Sequence, residues 1–88
     1  MLNYDKLNQH IHRLIVWTEA DYLIMLTGST SVLHRFIEHE IACLRQFILL
    51  QSNIDQQLAR EHIVSILDKS ANESISMLTE VLKTQEII

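Results

Sequence analysis

Between Val32 and Leu50 the apolar residues recur at steps of three and four, and no other stretch holds one period so long. Leu33, Phe36, Ile37, Ile41, Leu44, Phe47 and Ile48 fall on one side of an α-helix drawn through this run. His34, Arg35, Glu38, Arg45 and Gln46 fall on the other. The rest of the chain has to be arranged around that helix. With one glycine and no proline, the composition suits further helices and not a β-sandwich full of tight turns. The fold expected is all-α: an antiparallel helical hairpin plus one or two shorter helices, bundle-like, in one domain over residues 1–88.

The first helix is expected over residues 4–26. Leu7, Ile11, Leu14, Thr18, Tyr22 and Met25 form one stripe along it. Val16, Ala20 and Leu23 form a second on nearly the opposite side, with Trp17 and Ile24 between. Thr27-Gly28-Ser29-Thr30-Ser31 is the clearest break. Gly28 can take the left-handed conformation that closes a helix, and the hydroxyls after it can cap the next one. So short a connection folds the two helices into a hairpin. Beyond Gln51, Ser52, Asn53 and Asp55 are cap and turn residues; Asn53 and Gln56 have capping-box spacing, as do Ser70 and Glu73. A third helix over about 55–69, with Ala59, Ile63, Ile66 and Leu67 inward, and a fourth over about 72–86, with Ile75, Leu78, Val81 and Leu82 inward, follow. One continuous rod is the alternative, because neither glycine nor proline separates the two.

Eighty-eight residues bury only roughly 60–65% of the surface that the unfolded chain exposes. Disulfides, metal or a partner commonly make up the shortfall. Cys43 is the only cysteine, so a disulfide within the chain is excluded. A first helix apolar on two sides needs two partners. The Val32–Leu50 helix is one, and a second copy of the chain is the expected other. A homodimer is therefore predicted, with Val16, Trp17, Ala20, Leu23 and Glu40 as interface candidates.

The net charge is −4, and all the excess negative charge lies from Phe36 onward. Nucleic-acid binders usually carry a concentrated basic footprint, which this sequence lacks. An anionic membrane surface is disfavoured for the same reason. Leu14–Leu26 is strongly apolar but short, and Glu19 and Asp21 interrupt it, so no membrane span is expected. No export signal is recognisable at the N-terminus, and the one thiol suits a reducing cytoplasm.

His34 and Glu38, and His39 and Cys43, are each four apart and could chelate. Neither Glu-x-x-His nor His-Glu-x-x-His occurs. A metal-binding bundle is thus a second alternative, and no cofactor is expected. His34 and His39 also lack the lysine and glycine that follow the acceptor in four-helix phosphotransfer domains. Gln57–Ser65 resembles the start of a helix-turn-helix, and that resemblance implies a DNA-binding regulator using residues 57–70. It departs from the pattern at Ile63, where the turn usually needs glycine. No nucleophile has a placed base, there is no phosphate-binding loop, and the chain is small for a pocket of enzyme size, so no enzyme and no small-molecule substrate are expected.

Glu40 lies inside the apolar arc of its helix, with Phe36, Ile37, Leu44 and Phe47 around it. A lone buried carboxylate costs several kcal/mol, so pairing with an arginine or histidine from another helix or subunit is expected. The punctuation Leu-Leu-Gln-Ser-Asn at 49–53 and Ile-Leu-Asp-Lys-Ser at 66–70 resembles that of short, acidic, helical bacterial connector proteins of biofilm and stress regulation. The function expected is a non-enzymatic regulator, connector or chaperone-like adaptor. It would act by protein contact with itself and with another protein.

Overall fold

The computed structural model of the protein describes residues 1–88. It is all-α, with α1 over Tyr4–Leu26, α2 over Leu33–Leu49, α3 over Asn53–Lys69 and α4 over Glu73–Thr84. The molecule measures 43 × 23 × 23 Å. Helix α1 alone accounts for most of that length, at about 1.5 Å per residue.

Each helix starts where a polar side chain can satisfy free backbone N–H groups. The Asn3 side chain accepts from the Lys6 backbone N–H at 3.1 Å. Gly28 takes φ 78°, which a residue without Cβ adopts freely, and it follows the α1 C-cap at Thr27. Ser31 Oγ then accepts from the Leu33 backbone N–H at 3.1 Å. The expected cap of the last helix shifts slightly. Of the cap residues expected after Gln51, Ser52 caps α3 by accepting from Asp55 N–H at 3.2 Å, and Asn72, rather than Ser70, caps α4 by accepting from Ile75 N–H at 2.9 Å. The second cap also settles the rod alternative. Once the Asn72 side chain has replaced a backbone acceptor, α3 and α4 are separate helices.

Helices α1 and α2 form the antiparallel hairpin. His10 meets Glu40 and Trp17 meets Phe36, so sequence positions rise along one helix as they fall along the other. Helix α4 packs along α1 and is tied to it by a hydrogen bond from Tyr22 Oη to Glu73. That bond, some burial and the Glu73 charge raise the Tyr22 phenol above its ordinary pKa. Helix α3 packs against α2 and reaches the N-terminal end of α1, where His62 Nε2 lies 2.6 Å from Asn8 Oδ1 and its ring meets Tyr4 edge-on.

One core joins all four helices, with Leu7, Leu14, Ile41, Leu44, Ile63, Ile75 and Leu82 its largest buried side chains. Three residues expected inward lie further out. Met25 is 55% exposed, Phe36 53% and Val81 39%. Leu2 and Ile87, from outside the helices, fill core positions instead.

The chain leaves α4 through a Schellman closure. Ile87 N–H donates to Leu82 O at 2.9 Å, Glu86 N–H donates to Lys83 O at 3.0 Å, and Leu82 and Ile87 are both buried. Glu86 holds the left-handed position at φ 61°, where its Cβ is strained and glycine is usual. Glu86→Gly is expected to raise stability by about 0.5–1 kcal/mol, the relieved strain less glycine's entropy cost. A urea titration reads this as a higher midpoint; a lower one would mean that the Glu86 side chain stabilises the native state.

Candidate interaction surface

Four of the five residues singled out in the sequence lie on α1, whose inward face is set by Leu7, Ile11 and Leu14. At 3.6 residues per turn, Val16 and Leu23 come round to the far side of the helix. Both are exposed, Val16 by 46% and Leu23 by 62%. Ala20 is half-buried. Trp17 is half-buried as well, its ring centroid 5.8 Å from that of Phe36 on α2. Leu26 and Val32, at the two ends of the connecting turn, are also exposed. At the opposite end of the hairpin Leu49, Leu50 and Ile54 are exposed as well.

Glu40, the fifth, turns the other way. It is 5% exposed, and its partners come from its own chain, which takes it off the surface. Its Oε1 accepts from Arg13 Nη2 at 3.0 Å and lies 2.6 Å from His10 Nδ1. An ionised carboxylate only accepts, so Nδ1 carries the proton in this contact. His10 is itself buried, and its ring packs 5.5 Å from Phe47. Burial pushes the Glu40 carboxyl up. The bonds and charges of Arg13 and His10 outweigh burial and hold it below the ordinary carboxylate value. His10 and Arg13 sit three apart on α1, so one face presents both donors to a single acceptor on α2.

The expected metal pairs form only as pairs. His34 Nε2 lies 3.4 Å from Glu38 Oε1, and Cys43 Sγ lies 3.6 Å from His39 Nε2. No group of three or more histidine, cysteine or acidic side chains is close enough to hold a metal ion. The helix-turn-helix alternative meets a backbone without a turn. Residues 57–69 lie within the uninterrupted helix α3, and Ile63, at the would-be turn, is fully buried mid-helix. No helix is long and apolar enough to cross a membrane.

Sequence reasoning put Thr18 on the inward stripe of α1 and Asp21 as a break in its apolar run, but gave neither a role. Thr18 Oγ1 and Asp21 Oδ1 are both out of water and hydrogen-bonded to nothing. The two residues border a cleft of about 100 Å³ shared by α1, α2 and α4, whose surface is almost wholly apolar. The signal was present: Thr18 and Asp21 continue the inward positions of Leu14 at steps of four and three.

Comparison with protein-family models, with curated proteins and with solved structures finds no match.

Proposed function

We propose that this chain is a small non-enzymatic interaction protein, a regulator or adaptor that works by helix-to-helix contact and pairs with a second copy of itself. The observation that carries this reading is the apolar far side of α1, where Val16 and Leu23 stand in solvent. Surface area supports it. A folded monomer of 10.3 kDa exposes about 5,350 Å² by the usual mass scaling. This chain exposes 5749 Å². The surplus is modest, and exposed apolar side chains such as Val16 and Leu23 contribute to it.

Sedimentation velocity tests the reading. The wild-type chain is expected to run as a dimer. The double variant Val16→Glu, Leu23→Glu is expected to run as a monomer with unchanged helical content, since neither side chain belongs to the core. A wild-type monomer at high concentration, or an unchanged mass for the variant, would remove the α1 far side as the contact.

A further inference from the structure

We propose that the cavity between α2, α3 and the C-terminal turn holds one aspartate or glutamate carboxylate of a partner protein, gripped by Arg45 and Arg60. This rests on the interaction reading above and names the partner's chemistry. The cavity measures about 190 Å³, and its surface is more polar than apolar. Arg45 of α2 and Arg60 of α3 both line it. Neither forms an ion pair, although the chain carries 11 acidic side chains against 7 basic ones. Arg60 makes no hydrogen bond either. Of its side-chain nitrogens only Nε is out of water, so both Nη groups are unpartnered and open to solvent. Arg45 donates from Nη2 alone, to Gln85 O at 3.3 Å and to Gln85 Oε1 at 2.6 Å. Those two bonds fix its guanidinium, while its Nε and Nη1 stay free and within reach of solvent.

Charge and size narrow the occupant. Two like charges that share one small cavity repel each other. An anion between them offsets that repulsion and accepts charge-assisted hydrogen bonds from both. Glu86 also lines the cavity, exposed and without an ion pair. With Glu86 counted, the site lacks one negative charge. A single carboxylate supplies it, whereas a phosphate dianion would set three negative charges against two positive ones. Ligand pockets for small molecules run to about 300–1,000 Å³, so this smaller cavity takes the end of a side chain. Leu49, 57% exposed and part of the same lining, gives the methylenes of that side chain an apolar surface to lie on. The partner is a different protein from the second copy. No α1 residue lines the cavity, so self-association through Val16 and Leu23 leaves it open.

The test uses the full chain, labelled for NMR. The probes are N-acetyl-glutamate-N-methylamide, its aspartate counterpart, its neutral glutamine counterpart and inorganic phosphate, all at one ionic strength. The carboxylate probes are expected to give saturable shifts at the Arg45 Nε–H signal and at the Leu49 and Glu86 amides. Glutamine is expected to bind roughly tenfold or more weakly, the worth of one charge-assisted hydrogen bond. Arg60→Gln is expected to remove that preference while keeping the dispersed spectrum of the folded chain, because Arg60 bonds to nothing within it. Arg35→Gln, at an exposed arginine outside the cavity, is expected to leave the preference intact. Glu86→Gln removes the competing charge and is expected to tighten glutamate binding severalfold. The proposal is overturned if glutamine binds as well as glutamate, if Arg60→Gln keeps the preference, or if Glu86→Gln weakens binding. It is also overturned if Arg35→Gln acts as strongly as Arg60→Gln, since the attraction would then be general charge. Phosphate binding roughly tenfold or more tightly than glutamate overturns it as well, because the cavity would then take a free dianion. None of these outcomes bears on the sedimentation result, so the cavity and the dimer face can fail separately.

Discussion

Leu44→Ala is expected to cost about 2–5 kcal/mol, the range for removing a fully buried leucine side chain. Leu44 has no exposed surface and sits mid-way along α2 in the core shared by all four helices. Truncation removes the transfer energy of the lost carbons and leaves a hole that close-packed neighbours fill only in part. A chain of 88 residues has on the order of 4–13 kcal/mol of total stability. The variant therefore loses a large share of it, and its midpoint should fall by roughly 10–40 °C. Thermal melts followed by circular dichroism check this. Ile54→Ala is the control: Ile54 is 75% exposed, and its change should stay within about half a kcal/mol. If the two variants melt alike, α2 is not the element on which the core is built.

The period of α2 carried most of the architecture, because a helix that must bury one side reveals that side through spacing alone. It placed Ile41, Leu44 and Ile48 in the core, and they are there. Spacing does not say how far a neighbouring helix reaches. Phe36 and Met25 lie on the inward arcs of their helices but near the distal end of the hairpin, while α3 covers the other end of α1. That is why both remain half in water. Leu2 and Ile87 carry no period to read, since each lies outside a helix. Their burial is decided by where the chain ends happen to pass. Glu40 was legible as a misfit and its pairing as a need. Its partners were not, because His10 and Arg13 lie 30 and 27 residues away, and only the hairpin register brings them opposite. Asp21 was legible as a break in the apolar run Leu14–Leu26 but not as an inward position, for a related reason. A polar residue on an inward stripe reads as a helix edge until the neighbours that close over it are known.

Glu40→Gln is expected to cost about 1.5–3 kcal/mol at neutral pH, the worth of a hydrogen bond to a charged group out of water. The Glu40 side chain is 7% exposed and that of His10 is 8% exposed, whereas 40% of Arg13 is in solvent. Water therefore screens the arginine more, and the bond from His10 Nδ1 is the better protected of the two. Glutamine keeps the shape and an acceptor oxygen but loses the charge. The same substitution should flatten the acid limb of the stability curve. Glu40 is held below its ordinary value of 4.5, so the folded state favours the ionised form. Its contribution is complete above that ordinary value and disappears as pH falls through the lower folded-state value. Wild-type stability should therefore drop below about pH 4.5, and the gap to Glu40→Gln should close as it does. Urea titrations between pH 3 and pH 7, read by the fluorescence of Trp17 against Phe36, give both curves. Parallel curves across that interval would mean that the carboxylate is not ionised against His10 and Arg13. The join between α1 and α2 would then rest on apolar packing alone.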